Sequence, residues 1–437
     1  MRWWFGTALW KRVLAALVLG IGFGALMSQL MGAEAATNLI ESYVRPVGDL
    51  FIRLIRMLII PLILTTLVAG VYALGDPKRL GPIGGKTLLL YFATTFFANI
   101  IGIIFGLLFR PGAGADLGGA DAVPVSTETE ALSSRLLAIV PDNPVAALAD
   151  GDVLAVIFFA VLLGIGILLA GKAGKPVGDL FNSASDVVLK VTHMVMEVAP
   201  FGVFALVAYT TVSQGLEAFA SIGLLILTVY LGLFTHAVLV YGGLIRFVLR
   251  LPVLNFMRGI VDAQAVAYST ASSSATLPVT ITNVVDNLGV KRSVAGSVLP
   301  LGATINMDGT ALYLGILALF TAQAFGYDLT LTHYFMIAFT AAIASIGAAG
   351  IPSAGLFLLA IVLSTFNVPP EQIAIIVGFI LPVDRIMDMA RTAVNVTGDA
   401  AVAVAVAKWE GELDEERYYA PADQPVPSQT QDGTPQG

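Results

Sequence analysis

The sequence predicts an all-α polytopic membrane protein with eight transmembrane helices and two re-entrant helical hairpins. Three observations carry that prediction. Of 437 residues, 57% are hydrophobic and only 12% charged, against about 25% charged in an average soluble domain; a water-soluble globule of this size could not clothe its surface. Uncharged runs such as Val13–Ala33 and Val153–Gly171 have the length of bilayer-spanning helices. These runs are continuous, whereas the strands of a membrane barrel alternate apolar and polar residues. A formal charge of −7 with no basic stripe excludes a nucleic-acid binder, and zero Cys excludes a disulfide scaffold or a thiolate metal site. The three His (His193, His236 and His333) are scattered and form no metal-ligand spacing.

At the N-terminus, Arg2, Lys11 and Arg12 precede an apolar run and Ala33-Glu34-Ala35, the layout of a signal peptide. The run from Val13 to Ala33 exceeds the about 7–15 residues of a signal h-region, so a retained first span is expected. Lys and Arg mark cytoplasmic connections. Arg2/Lys11/Arg12, Lys78/Arg79/Lys86, Lys172/Lys175/Lys190 and Arg246/Arg250/Arg258 fall inside. Between them lie acidic outer connectors: Glu34/Glu41/Asp49, the Gly-rich segment Pro111–Ser134, and Glu217. This gives six spans within residues 1–246.

Residues 255–288 are apolar but interrupted by Ala271-Ser-Ser-Ser-Ala-Thr-Leu-Pro278, and Lys291 and Arg292 follow. A single crossing would put that basic pair outside, so the segment reads as a hairpin entering from the cytoplasm. A seventh span, 293–325, leads out to Asp328. Residues 332–365 are broken by Ser345-Ile-Gly-Ala-Ala-Gly-Ile-Pro-Ser-Ala-Gly355 and flanked by Asp328 and Glu371, so this hairpin dips in from outside. The eighth span, 372–407, ends inside at Lys408, putting both termini in the cytoplasm. Residues 409–437 are acidic and rich in Pro, Gln and Gly, and are expected to be disordered. Two broken hairpins of opposite entry, each followed by a span, form an inverted repeat, the pattern that marks a transporter's midplane site. The bland alternative is that Ser and Gly only let helices pack closely; a matched pair favours the functional reading.

The eighth span carries Asp384, Arg385, Asp388, Arg391, Thr392, Asn395 and Asp399. At about 100° per residue they share an arc of about 120°, opposite Met389, Ala390, Ala393, Val394 and a lone Thr397. A central charge facing lipid costs about 2.5–3.5 kcal/mol, and five cost on the order of 12–17 kcal/mol, so this face meets protein and a wet cavity. Asp388 and Arg391 satisfy each other at i, i+3, but such pairing leaves Thr392, Asn395 and Asp399 on the same face unexplained. The Arg391 fork matches a carboxylate bidentately, Asp388 can accept from an ammonium group, and Thr392 and Asn395 add neutral hydrogen bonds. Together they suit a zwitterion with an extra carboxylate. Asp399, with Asn306 and Asp308 of Asn306-Met-Asp-Gly-Thr310, offers hard oxygen donors. With carbonyls freed where the helix unwinds at Gly309, these suit a small cation such as Na⁺.

The segments SSSATLPVT (272–280), NMDGT (306–310), SIGAAGIPSAG (345–355) and DMARTAVNVTGD (388–399) resemble the dicarboxylate/amino acid:cation symporter family, which includes bacterial and archaeal glutamate/aspartate transporters and the excitatory amino acid transporters. The resemblance covers about residues 10–408. It implies a homotrimer in the cell (inner) membrane, with both hairpins and spans three, six, seven and eight moving as an elevator against the remaining scaffold spans. It implies that residues 247–408 form the transport core. It also implies a substrate held by Arg391 on its side-chain carboxylate and Asp388 on its amino group, with Thr392, Asn395 and Thr310. Backbone around Ser272, Ser273, Ile351 and Gly355 takes the α-carboxylate. One implied Na⁺ site uses Asp399 with carbonyls of Gly302, Asn306 and Asn395. A second uses Asp308 and Asn306 with Tyr91, Thr94 and Thr95. A third uses carbonyls of Thr304, Ser345, Ile346 and Ala348.

Some positions depart from the family pattern. Ala271 stands where archaeal members carry an Arg, a charge that Arg385 can supply. Leu314 stands where animal glutamate carriers have a proton-carrying Glu, which argues against their proton/potassium scheme. The C4-dicarboxylate branch has Ser where Asp388 stands, so Asp388 and Thr392 favour glutamate or aspartate over succinate or malate. Asp399 leans toward Na⁺, since proton-coupled relatives often carry Asn there. A proton-coupled glutamate/aspartate or C4-dicarboxylate symporter stays open as the alternative, as does an anion channel with Arg53 and Arg56 as pore candidates. A membrane enzyme lacks support, because no nucleophile–base pair or metal cluster is legible.

Overall fold

A computed structural model describes residues 7, 9–73, 77–115, 117, 140–151, 153–215, 220–346 and 354–420. Among the described residues the regular elements are helices, with one isolated antiparallel bridge between Val290 and Leu413. Among the described residues, four stretches are long and apolar enough to cross a membrane by length and composition: Lys11–Met31, Ile83–Phe109, Ser221–Val248 and Arg292–Phe325.

The first set of helices is α1 (Leu9–Met31), α2 (Ala33–Tyr43), α3 (Arg45–Ala73), α4 (Pro77–Phe109), α5 (Pro144–Asp150), α6 (Val153–Leu169), α7 (Lys175–Met196), α8 (Ala199–Gln214) and α9 (Ala220–His236), which continues through two π-helical turns to Val248. α1 packs along α8, and α3 is packed by α6, α7 and α8. A bidentate pair, Arg12 Nη1 and Nη2 to the Glu197 carboxylate at 2.7 and 3.0 Å, closes one end of this group. The segment with Lys172, Lys175 and Lys190, expected as a connector, holds the 22-residue helix α7. Its inner face is Phe181, Ser185, Val188, Thr192 and Val195. That is helical spacing, obscured in the sequence because two of the five are hydroxyl residues. Of the two arginines considered for a pore, Arg53 is exposed on α3, and the side chain of Arg56 lies outside the described residues.

The second set begins with α10 (Val253–Gly259), α11 (Val261–Thr270) and α12 (Ser273–Thr282), the last continued by a π-turn, Asn283–Asn287. α11 and α12 lie antiparallel as the expected 255–288 hairpin. Its base is fastened by Asn283 Oδ1 accepting from Ala263 N–H at 2.9 Å and by Asn287 Nδ2 donating to Gly259 O at 2.9 Å. The chain reverses at Ala271, which is left-handed (φ 51°), and Ser272 caps α12 by accepting from Ala275 N–H at 3.2 Å. The segment expected as the seventh span is two helices, α13 (Arg292–Ile305) and α14 (Asp308–Phe325). The break falls at Asn306–Met307 (φ −83°, ψ 79° and φ −109°, ψ 49°), which corrects the expected unwinding at Gly309. Gly309 is helical, and its role is steric: a Cβ there would sit 2.7 Å from the Arg391 carbonyl oxygen.

α15 (Leu331–Ile346) and α16 (Ala354–Leu363, then a 3₁₀ turn to Phe366) pack on one another and on α14. α17 runs unbroken from Pro370 to Glu410, 41 residues or about 60 Å at 1.5 Å per residue, twice the hydrocarbon thickness of a bilayer. It touches α11, α12, α13, α14, α16 and α9. Residues 400–407 are all Ala or Val and all 0% exposed, so this half is core on every side. α4 and α9 pack on this second set, through α13, α14, α15 and α17. The tail expected to be disordered is structured as far as Ala420, with a short helix α18 (Glu415–Tyr419).

Candidate functional site

The polar arc of α17 is buried as its spacing demanded: Asp384, Asp388, Arg391, Thr392, Asn395 and Asp399 are all buried. They separate into two clusters along the helix.

At the first, Arg391 Nη2 donates to Asp388 Oδ1 at 2.7 Å and Asp384 Oδ1 at 3.2 Å. Its guanidinium lies over the Tyr313 ring, 3.8 Å from the centroid, a cation–π contact strengthened by desolvation. The Tyr313 hydroxyl donates to Asp384 Oδ1 at 2.6 Å. Tyr313 and Asp384 therefore hold the plane of the fork, a role the sequence did not assign. The available signal was spacing: Tyr313 lies one turn beyond Thr310. Arg391 Nε and Nη1 are buried with no hydrogen-bond partner among the described residues, a cost incompatible with a closed protein core. Gly355 of α16 faces them; a Cβ there would lie 2.9 Å from Nη1 and 3.0 Å from the Thr310 methyl. Arg391, Thr310 and Gly355 are thus brought together. Thr392 turns its hydroxyl back to Asp388 O at 2.9 Å.

The first hairpin's tip reaches this region through Arg385. Its Nη2 donates to Thr270 O at 3.0 Å and Ser269 O at 3.4 Å, capping the carbonyl end of α11 next to Ala271. Ser273 is buried, and Thr276 donates to Ser272 O at 2.8 Å. Ile351 and Ala348 lie outside the described residues. So does the side chain of Ile346, whose backbone ends α15. Ser345 is buried, its hydroxyl donating to Ala342 O at 2.8 Å.

The second cluster surrounds the break in the seventh span. Asn306 Nδ2 donates to Asp399 Oδ1 at 2.9 Å and to Asn395 O at 3.3 Å. Asn395 Oδ1 accepts from Gly309 N–H at 2.8 Å. Gly302 O takes the Asn306 N–H at 2.9 Å, and Thr304 bonds its own helix at Leu301 O. From α4, Thr95 donates to Asp308 Oδ1 at 2.6 Å, Thr94 approaches Asn306 Oδ1 at 3.4 Å, and Tyr91 donates to Val298 O at 3.1 Å. From the π-helical end of α9, Tyr241 donates to Asp308 Oδ2 at 2.7 Å, and His236 Nε2 lies 3.3 Å from the same atom. Tyr241 and His236 were not anticipated; both sit more than 60 residues upstream of Asp308, where no local pattern links them.

Asp308 (0% exposed) and Asp399 (2%) make no ion pair with Lys or Arg among the described residues. Buried carboxylates without a counter-charge are costly. Around them stand carboxylate, amide, hydroxyl and carbonyl oxygens, the donor chemistry of a hard monovalent cation. The residues present fit such an ion, with Asp399, Asp308, Asn306, Asn395 and Thr94 as the nearest donors.

A broken helix, two paired hairpin-like elements, an orphaned arginine fork and uncompensated carboxylates define a membrane transporter for an anionic solute and a cation. Comparison with known proteins gives the particular family: the sodium:dicarboxylate symporter family matches residues 9–409, and the chain belongs to it. It is 37% identical to the proton/sodium-glutamate symport protein of Bacillus subtilis (strain 168) over 92% of this chain and 94% of that protein. It is 37% identical to the proton/glutamate-aspartate symporter of Escherichia coli (strain K12), over 94% of each. It is 38% identical to a C4-dicarboxylate transport protein of Rhodospirillum rubrum, over 94% of this chain and 91% of that protein. The protein is therefore a multi-pass membrane transporter and not an enzyme.

Proposed function

We propose that this protein is a symporter that imports L-glutamate or L-aspartate together with Na⁺. The observation that carries the reading is the state of Arg391: one nitrogen is held by Asp388 and Asp384, and two are buried without partners. A side-chain carboxylate satisfies Nη1, the unpartnered nitrogen that Gly355 faces. The Asp388 carboxylate, held by Arg391 through Oδ1, accepts from the substrate's ammonium group, and Asn395, Thr392 and Thr310 complete the pocket. Hairpin backbone at Ser272, Ser273, Ile351 and Gly355 receives the α-carboxylate. Na⁺ occupies Asp399 with Gly302, Asn306 and Asn395, and Asp308 with Asn306, Tyr91, Thr94 and Thr95. A third ion lies at Thr304, Ser345, Ile346 and Ala348. The coupling follows from placement: Asn395 and Asn306 link the cation cluster to the helix that carries Arg391, so an ion there fixes the pocket. The protein works as a homotrimer in the inner membrane with both termini cytoplasmic. Residues 247–408, α4 and α9 move as one body in an elevator step.

The similarity to a C4-dicarboxylate transport protein supports one competing reading, a carrier of succinate or malate. Uptake of labelled L-aspartate, L-glutamate and succinate into proteoliposomes, under an inward Na⁺ or an inward H⁺ gradient, separates them. Amino-acid uptake driven by Na⁺ alone is expected. Uptake driven by H⁺ alone would overturn the cation assignment and spare the Arg391 pocket, and succinate accumulation without either amino acid would overturn the role given to Asp388.

A further inference from the structure

We propose that residues 411–419 form a cytoplasmic strap that positions the first hairpin against α17. α17 ends at Gly411 (φ 71°), and Glu412 N–H returns to Ala407 O at 2.8 Å. The chain then pairs with the far foot of the hairpin. Lys291 N–H donates to Glu412 O at 3.1 Å, Asp414 N–H donates to Gly289 O at 2.8 Å, and Val290 bridges Leu413. Gly289 is doubly constrained, by its φ of 74° and by the Asp414 carbonyl oxygen 2.4 Å from where a Cβ would stand. Asp414 caps α18 through Arg417 N–H at 3.0 Å, and Arg417 Nε donates to Asp286 O inside the π-turn. The near foot is gripped by Tyr418: its hydroxyl donates to Pro252 O at 3.2 Å, and its carbonyl accepts from Asn255 Nδ2 at 3.2 Å. Tyr418 is 1% exposed and belongs to the core formed by α10, α13 and the end of α17. Ion pairs Lys291–Glu412 and Lys408–Glu415 fasten the strap to the start of α13 and to α17, whose last residue, Glu410, is itself tied to α4 by Lys86.

The strap therefore holds both feet of the hairpin and is covalently continuous with the helix that carries Arg391 and Asp388. The feet are themselves tied across the hairpin by Asn283 and Asn287, so a shift at the base travels along two rigid helices to Ser272 and Ser273 at the tip. Arg417 and Tyr418 are positioning residues.

Hydrogen exchange of the purified full-length protein tests this without any assumption about substrate. In Arg417→Ala/Tyr418→Ala, amides of residues 261–282 should exchange at least about fivefold faster, while α1 and α8 stay unchanged. Removal of residues 421–437 alone should change neither. Tyr418→Phe, which loses only the bond to Pro252, should give a smaller acceleration in the same peptides and covers the case in which the double variant does not fold. A second readout rests on the function proposed above: the KM for L-aspartate should rise about fivefold with kcat within twofold. Faster exchange confined to residues 410–420, with 261–282 unchanged in both variants, would overturn the proposal even if uptake were absent.

Discussion

The two buried clusters on α17 differ in how their charge is balanced. Around Arg391, two carboxylates and one guanidinium leave a single net negative charge, held on a fixed ring by Tyr313. Around the break at Asn306–Met307, two carboxylates meet no Lys or Arg among the described residues, only amides, hydroxyls and one His. The first cluster holds its carboxylates on a guanidinium but leaves Arg391 Nε and Nη1, and Asp384 Oδ2, without partners among the described residues, so it lacks a polar ligand. In the second, Asp308 and Asp399 are hydrogen-bonded but no Lys or Arg among the described residues balances them, so the cluster lacks a cation. One helix thus presents complementary deficits about two turns apart, which is what cotransport requires.

The harshest way to break this contrast is to remove the fork. Arg391→Ala should lower aspartate uptake by more than about 100-fold, because it deletes charged hydrogen bonds and strands Asp384 and Asp388 in a buried site. Arg391→Lys should still lose about 10–100-fold, since an ammonium does not reproduce bidentate geometry. Asp399→Asn should leave the pocket intact but raise the Na⁺ concentration for half-maximal uptake at least about tenfold, equivalent to about 1.4 kcal/mol. Asp388→Ala sharpens the substrate assignment: amino-acid uptake should fall about tenfold or more while binding of a plain dicarboxylate is kept. The smallest effect is expected from Tyr313→Phe. It keeps the ring under Arg391 and removes one hydrogen bond to Asp384, about 1 kcal/mol or about fivefold in KM.

Much of this was legible in the sequence because membrane burial penalises every misplaced charge. The arc from Asp384 to Asp399 had to face inward, and all of it but the half-buried Arg385 does. The Ser-rich interruption falls where α11 and α12 turn at Ala271–Ser272, and most of the Gly-rich one, between α15 and α16, lies outside the described residues. What stayed hidden had weak or distant signals. Gly309 resembled a helix breaker, yet the break lies at Asn306–Met307, and the glycine instead lets α14 approach the Arg391 backbone. α7 was masked by lysines that punctuate a helix whose inner face is partly hydroxyl. The strap at 411–419 has a disordered segment's composition, and only Leu413 and Tyr418 anchor it in the core. The partnerships of Asp308 with His236 and Tyr241, and of Asp384 with Tyr313, join separate spans, and nothing in local spacing encodes them.

The central claim is that a cation at the unpaired carboxylates prepares the Arg391 pocket. Binding of labelled L-aspartate to purified protein, titrated across Na⁺ concentrations at fixed ionic strength, tests it most directly. The account predicts that the dissociation constant falls at least tenfold as Na⁺ rises, and that Asp399→Asn flattens this dependence. An affinity that ignores Na⁺ in the unmodified protein would contradict it.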